Sequence, residues 1–338
     1  MKTTTAKAVL VATALLAFGA RAEADEVNLL FGTTLMSTVH LNVRVLHPWA
    51  ERINAQGKGI IHVEVRDGEA IASLANFYSR VQDDVIQISW GLQSAIAGKF
   101  PRSAVGGLPF EVDKAENGSV ALWRLYKSGL LDAEYDTVQP LYMITFPPAG
   151  FHMAKPMKTL ENLNGLKIGI GSRTGSDMIA RLGGAPISMI TSDYYTGVQR
   201  GMIDGVNTQW TAMQPFKLYE VTFYHVEASL GGTTGMVFMN KKKYNALPAA
   251  ARKILDENSG EAQSRFYGKF WDDVNREGRD MVKALGDKHQ FVTVPPDIEA
   301  KWRAEVLPVI QDWAKATPDG DKVLAAFRSE IAKVRAGQ

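Results

Sequence analysis

Strand-like and helix-like patterns alternate over the first hundred residues of the chain. An apolar run at residues 26–32 ends in a Gly-Thr-Thr sequence, and apolar and polar side chains alternate at residues 60–66. Between them, over residues 38–54, apolar side chains recur every three or four positions, which predicts a helix. A short helix at 76–82 and a strand at 84–90 follow. Successive strand–helix units of this kind predict an open, mostly parallel sheet with helices on its faces.

A second unit of the same kind begins near the middle of the chain. Strands are predicted at residues 141–146, 166–171 and 188–190, and helices at 175–182 and 193–200. A unit of this size is ordinary for a domain. We therefore predict two α/β lobes, each a mixed, mostly parallel sheet flanked by helices, which also suits the length of 338 residues.

The second half of the chain contains one unusually long helical pattern. A strand is predicted at residues 235–240, and small and apolar residues then fall on one helix face from 248 to 285. One helix of that length would extend beyond a single lobe and brace both. Gly260, Gly268 and Gly278 lower its helix propensity, so a kink or break is an alternative.

The places where the pattern resets give the expected domain boundaries. Lobe I is predicted to comprise residues 25–146 and 235–273. Lobe II is predicted to comprise residues 147–234 and 274–338, including an amphipathic stretch around Trp302.

The N-terminal segment has the pattern of a secretory signal peptide. Lys2 and Lys7 precede an apolar run at residues 8–20, which is shorter than the roughly 20 residues needed to span a bilayer. Small residues with Ala-x-Ala spacing follow, so we predict a signal peptide at residues 1–24 and an exported mature protein. Cleavage there removes the basic excess of the whole chain, a net charge of +2. A near-neutral mature chain argues against a dedicated nucleic-acid binder.

Composition and motif spacing exclude several kinds of chemistry. The chain has no cysteine, which rules out disulfides, thiolate zinc sites and cysteine nucleophiles. Its six histidines show no paired metal-ligand spacing, and no G-x-S-x-G sequence is present. We expect neither a metal nor an organic cofactor.

One glycine-rich loop has two interpretations. Gly169, Gly171 and Gly175 follow a strand and open a helix, but the third glycine is one position late for a dinucleotide-binding loop. The helix start and Arg173 could instead bind a small anion through backbone N–H groups and charge. The alternative is a tight turn with a solvated arginine.

Several side chains lie at predicted strand-to-loop exits, where open α/β sheets face their ligand crevice. These are Thr33, Thr34, Trp90, Phe151 and Trp210. Aromatic rings at such positions can form the wall of a pocket. Each ring is equally consistent with a place in a lobe core.

The sequence resembles the periplasmic solute-binding receptors of tripartite ATP-independent periplasmic (TRAP) transporters over essentially its whole length. The resemblance lies in the order and spacing of five stretches, at residues 107–110, 155–168, 183–189, 193–205 and 245–248. It implies a two-lobed periplasmic-binding-protein fold with a long helix that touches both lobes. It also implies capture of a small solute, usually an organic acid, by lobes that close over it, and delivery to membrane permease subunits.

One departure from the family pattern concerns the ligand carboxylate. Typical members carry an arginine directly after the Leu-Lys-Ile strand, where this chain has Gly169, and many carry another where this chain has Ala149–Phe151. The family's asparagine after the Asp-Gly turn corresponds to Asn207 or Thr208. A bidentate arginine clamp is therefore not carried over.

Three explanations for the missing arginine remain open. Arg173 or Arg44 supplies the charge, the helix start at residues 172–176 binds the anion, or the ligand is not a simple monocarboxylate. The aromatic residues at the crevice favour a ligand with an apolar or ring portion.

We therefore predict a monomeric receptor that is not an enzyme, whose partners are a small organic solute and TRAP permease subunits. The alternatives are a secreted α/β hydrolase and a solute receptor of an ABC or sensory system. The predicted ligand-binding residues are Thr33, Thr34, Trp90, Phe151, Arg173, Asn207, Thr208 and Trp210.

Overall fold

The computed structural model describes residues 26–96 and 98–338, so the predicted signal peptide at residues 1–24 lies outside the described part. The strands are β1 Val27–Gly32, β2 Ile61–Arg66, β3 Ile88–Leu92, β4 Val138–Thr145, β5 Gly150–Met153, β6 Lys167–Ile170, β7 Ala185–Ser188, β8 Gly205–Thr208, β9 Tyr224–Glu227, β10 Thr234–Asn240 and β11 Gln290–Thr293. The helices are α1 His47–Gln56, α2 Phe77–Gln82, α3 Ala115–Lys127, α4 Arg173–Arg181, α5 Tyr194–Gln199, α6 Lys241–Ala246, α7 Ala249–Glu257, α8 Gly260–Lys283, α9 Pro296–Ala316 and α10 Gly320–Arg335.

The strands form two separate mixed sheets. The first has five strands in the order β2-β1-β3-β10-β4, with β1 parallel to β2 and β3, and β10 antiparallel to both of its neighbours. The second has six strands in the order β11-β9-β5-β8-β6-β7, in which only β5 runs against the others. The predicted α/β class with two mixed, mostly parallel sheets is confirmed.

The two connections between the sheets join them at the edge where the parallel strands of each sheet end. The chain leaves the first sheet at the carboxyl end of β4 and enters the second at the amino end of β5. It returns from the carboxyl end of β9 to the amino end of β10. Both crossings therefore lie at the carboxyl ends of the parallel strands in each sheet. In open α/β sheets, ligands bind just outside this edge.

Each sheet is packed on both faces, as parallel strands require. On the first sheet, α1, α7 and α8 cover one face around Trp49, and α2, α3 and α10 cover the other around Phe77. On the second sheet, α4 and α9 cover one face around Trp302, and α5 and Trp210 cover the other.

The predicted long helix is two helices, α7 and α8. The break falls at Asn258–Ser259, and Gly260 has a φ of 81°, a left-handed conformation that favours glycine. The 24 residues of α8 still span about 36 Å, enough to reach both sheets.

Two glycines let α8 pass close to other backbone. A Cβ at Gly268 would lie 2.6 Å from the carbonyl oxygen of Ala115 in α3, beside the first sheet. At the other end, a Cβ at Gly278 would overlap the carbonyl oxygen of Trp210, beside the second sheet. The long helix bridges the two lobes, as predicted, by backbone contacts that only glycine permits.

The C-terminal helices divide between the lobes. Trp302 and Val306 of α9 lie in the core of the second sheet, whereas Phe327 and Ile331 of α10 pack into the core of the first. The predicted lobe II includes all of residues 274–338, whereas Ile310 near the end of α9 and the buried face of α10 pack in the core of the first sheet. This packing favours a division that assigns α10 to lobe I. None of the helices in the described part of the chain is long and apolar enough to cross a membrane.

Candidate ligand site between the two sheets

The loop after β1 is fixed by a polar network at the edge of the first sheet. The Asn42 side-chain amide donates to Thr33 Oγ1 at 3.1 Å and to Asp67 Oδ1 at 2.8 Å, and His47 Nε2 lies 2.9 Å from Asp67 Oδ2. Thr33 is fully buried in this network, so its hydroxyl is occupied within the protein. Thr34 is 8% exposed and its hydroxyl has no partner, which leaves it available to a ligand.

Trp90 lies in a group of buried polar atoms that lack normal partners. Trp90 Nε1, Trp271 Nε1 and the Tyr267 hydroxyl make no hydrogen bond of ordinary geometry. Burial raises the pKa of Tyr267 well above its usual value, and the neighbouring indole N–H groups of Trp271 and Trp90 partly oppose that effect. A buried donor without a partner costs about 1–3 kcal/mol, so acceptor atoms of a ligand or a small rearrangement would be stabilising here.

The α8 side of this group was missed by the sequence analysis. Tyr267, Trp271 and Asn275 are spaced four residues apart on α8, and Asn275 Oδ1 is also unpartnered. The ring of Trp271 lies 4.5 Å from that of Phe146, the residue at which the chain leaves β4. The sequence signal for this group was the four-residue spacing of side chains with polar tips. It is easily overlooked because the same helix also carries a regular apolar face.

The second sheet contributes Asn207, Thr208 and Trp210 at the end of β8. The Asn207 side-chain amide donates to the Gly150 carbonyl at 3.1 Å, which joins β8 to the start of β5. Thr208 is 6% exposed, and its carbonyl lies 3.2 Å from His152 Nε2. Trp210 is 7% exposed and packs against the His152 ring at 4.6 Å, so it supports the edge from within the lobe.

The side chains of Phe151 and Arg173 lie away from the other predicted site residues. Phe151 is fully buried, and its ring packs edge-on against Trp302 at 6.0 Å, a contact typical of a core residue. Arg173 extends into solvent with 89% of its side chain exposed and pairs with Asp177 at 3.1 Å. Ser172 Oγ accepts from the Gly175 amide and so occupies one donor at the start of α4.

Gly169 is buried in β6 for a packing reason. A Cβ there would lie 2.8 Å from Ile203 Cδ1 and 3.2 Å from Met189 Sδ. The space that an arginine side chain would need is filled by apolar groups. The packing of this lobe therefore leaves no room for an arginine side chain at position 169.

Two arginines at the junction are paired with acids. Arg44 Nη1 lies 2.9 Å from Glu277 of α8, and Arg279 of α8 forms a bidentate pair with Glu227 at the end of β9. Hydrogen bonding to Glu227 raises the pKa of Arg279. These pairs attach α8 to the helical turn before α1 and to the second sheet, and each neutralises one arginine. Within residues 26–96 and 98–338, no group of three or more metal-ligating side chains is positioned to hold a metal ion.

Comparison with known proteins assigns the family. The sequence profile of the bacterial extracellular solute-binding proteins, family 7, matches residues 31–316. The outer membrane transporter protein TsaT of Comamonas testosteroni is 25% identical over 330 residues, which cover 93% of this chain and 94% of that protein.

Two solved structures share the fold at a TM-score of 0.83. One is a TRAP solute-binding protein from Rhodoferax ferrireducens T118 in complex with copurified benzoate, 29% identical and covering 92% of this chain and 100% of that one. The other is a marine-metagenome TRAP solute-binding protein specific for aromatic acid ligands, in complex with 3-hydroxybenzoate, 26% identical and covering 92% of this chain and 99% of that one. This chain therefore belongs to the family 7 extracellular solute-binding proteins and is a TRAP-type solute receptor rather than an enzyme.

Proposed function

We propose that the protein is the periplasmic receptor of a TRAP transporter and binds a small aromatic carboxylic acid between its two sheets. The observation that carries this proposal is the aromatic group at the sheet edge. Trp271 packs on Phe146, and the indole N–H groups of Trp90 and Trp271 are buried without hydrogen-bond partners. Two TRAP receptors of the same fold hold benzoate and 3-hydroxybenzoate, which supports a ring-bearing acid. Delivery to membrane permease subunits follows from the family.

The proposed ligand contacts keep four of the eight predicted residues. Thr34 and Trp90 act from the first lobe, Asn207 and Thr208 from the second, and Trp271 from α8. Thr33 and Trp210 support these contacts from behind. Because Arg44 and Arg173 are paired with acids, we propose that neutral O–H and N–H donors hold the carboxylate. Such donors can stabilise an anion strongly where water is excluded.

Closure of the cleft is proposed to occur at the two crossings between the sheets, residues 146–149 and 228–233. Lobe I then comprises residues 25–146, 235–273 and the last helix, α10, and lobe II comprises the remainder. A ligand that contacts both lobes favours the closed state because those contacts exist only there. We propose that the receptor acts as a monomer.

A binding panel tests the proposed ligand class. Benzoate and 3-hydroxybenzoate should raise the melting temperature of the mature protein and bind with one-to-one stoichiometry in calorimetry. Benzyl alcohol, which lacks the carboxylate, and succinate, which lacks the ring, are the matched controls. At 100 times its dissociation constant a ligand stabilises the protein by about 2.7 kcal/mol. A response to succinate alone, or to none of the four, would contradict an aromatic-acid receptor.

Arg173→Ala is expected to change the dissociation constant for benzoate by less than about twofold. The side chain is 89% exposed and its pair with Asp177 lies on the surface, where such pairs contribute about 0–1 kcal/mol. Calorimetry of the variant beside Arg181→Ala, a second exposed arginine of the same helix, provides the comparison. A tenfold weakening specific to Arg173→Ala would make this guanidinium the carboxylate partner.

A further inference from the structure

Three of the six histidines form a row behind the cleft edge of the second sheet. His152 Nδ1 lies 2.9 Å from His225 Nδ1, and His225 Nε2 lies 3.1 Å from His289 Nδ1. At the other end His152 Nε2 lies 3.2 Å from the carbonyl oxygen of Thr208. The rings are almost completely enclosed, with exposed fractions of 1%, 0% and 7% for His152, His225 and His289. No sequence motif marks this row, because its histidines lie far apart along the chain.

Only one arrangement of protons satisfies all three contacts when the rings are neutral. A carbonyl oxygen only accepts, so His152 Nε2 carries its proton and His152 Nδ1 is an acceptor. His225 Nδ1 must then donate to His152, which leaves His225 Nε2 to accept from His289 Nδ1. The row is a directed chain of donors that ends on the Thr208 backbone.

The surroundings of the row are mostly aromatic. Trp210 packs on His152 and His225, Phe291 on His225, and Phe223 on His289. Two cations lie over the aromatic rings around the row, Lys288 over Phe223 and Arg279 over Phe291, and Arg279 is paired with Glu227. In the described part of the chain no carboxylate is hydrogen-bonded to any of the three histidines.

These surroundings disfavour the charged form of each ring. Burial lowers the pKa of His152 to about 3. Burial, together with the neighbouring histidines, lowers the pKa of His225, and burial with the Lys288 charge lowers that of His289. A further proton on His152 Nδ1 or on His225 Nε2 would also point at the N–H donor of the next ring in the row.

We propose that the row of His152, His225 and His289 is an acid-sensitive support for the Thr208–Trp210 edge, which holds the edge in place while neutral and releases it on protonation. The released form exposes the rings to water, where they accept protons at their ordinary affinity. The inference concerns the ligand-free protein and does not depend on which solute binds.

Protonation of the row should lower the stability of the folded protein as the pH falls. A histidine that the fold keeps neutral has a lower pKa in the folded protein than in the unfolded chain, where it is about 6.5. Its contribution to the stability of the folded protein is complete above pH 6.5 and is lost as the pH falls toward the lower, folded pKa. At pH 5.5 a histidine whose folded pKa lies far below that pH raises the unfolding constant by about tenfold relative to pH 7.5. His152 and His225 together therefore account for up to about a hundredfold, and the lowered pKa of His289 adds to it.

Nitrogen-15 spectra of histidine-labelled protein at pH 7.5 test the chain directly. The expected result is a protonated Nε2 on His152 and a protonated Nδ1 on both His225 and His289. Amide hydrogen exchange at residues 205–210, corrected for the intrinsic rate, should accelerate on acidification to pH 5.5. Imidazolium signals from the row at pH 7.5, a different proton arrangement, or unchanged protection of residues 205–210 would overturn the proposal.

His289→Asn provides a matched variant, because its side-chain amide can still donate near the Nδ1 position but does not titrate. Its unfolding constant should rise less than that of the wild type between pH 7.5 and 5.5, because one titrating ring of the row is gone. His62→Asn, an exposed position on β2, should keep the wild-type profile. Identical pH profiles for the two variants would contradict the proposal, and the spectra of the wild type remain decisive if His289→Asn does not fold.

Discussion

Replacing Phe151 with alanine is expected to lower the free energy of unfolding by about 3–5 kcal/mol, the range for a buried aromatic residue. The ring is fully buried and packs against Trp302 on the inner face of the second sheet. Because it lies in the lobe core, the dissociation constant of a bound aromatic acid should stay within about threefold of the wild-type value. Urea unfolding and calorimetry on the same preparation measure the two effects separately.

The matched control is Phe266→Ala on α8, where the ring is 48% exposed. This change should alter stability by no more than about 0.5 kcal/mol, as is usual for surface positions. If Phe151→Ala left stability intact and greatly weakened binding, Phe151 would belong to the ligand wall instead.

Gly278→Leu is expected to weaken ligand binding by about tenfold or more and to destabilise the fold by about 1–3 kcal/mol, the usual cost of overpacking. The new side chain would overlap the carbonyl oxygen of Trp210, so α8 and the end of β8 must separate. Leucine has a higher helix propensity than glycine by up to about 1 kcal/mol, so the steric effect must exceed that gain.

Arg276→Leu is the control for this variant, because it places the same side chain on an exposed face of the same helix. It removes only a surface pair with Asp273, so stability and affinity should stay close to those of the wild type. Equal behaviour of the two leucine variants would show that the close approach at Gly278 does not position the cleft.

Local patterns predicted most of the sheet-forming elements but not their ends. β2 follows its alternation of apolar and polar residues, whereas β7 ends at Ser188, where the predicted strand began. The apolar face from 248 to 285 continues through the break at Asn258–Ser259, because periodicity does not register a single left-handed residue. The low helix propensity of Gly260, which made a break the alternative, was the signal for it. The placement of α10 on the first lobe depends on contacts with α3 that are distant in sequence.

The candidate site was harder to predict because its side chains come from separate parts of the chain. Strand exits identified Thr34 and Trp90, but the same rule also selected Phe151, which faces a core. A strand exit fixes the position of a residue and not the face to which its side chain points. Trp271 could not be predicted in this way, because it lies on a helix and reaches the sheet edge through its contact with Phe146.

The departure at Gly169 is explained by the structure and could not be explained by the sequence. Ile203, Met189 and Val206 surround the position so closely that even a Cβ would require movement. An arginine introduced there would displace apolar packing rather than restore a clamp. This supports the proposal that neutral donors bind the carboxylate.

Distance measurement across the cleft tests the central claim, that an aromatic acid closes the two lobes, most directly. The chain contains no cysteine, so Met36→Cys and Ile190→Cys, at positions 70% and 67% exposed on opposite lobes, can be spin-labelled without removing native thiols. Saturating benzoate should shorten and narrow the distance distribution measured by pulsed electron spin resonance, and benzyl alcohol should leave it unchanged. A distribution that stays the same with bound benzoate would contradict the account.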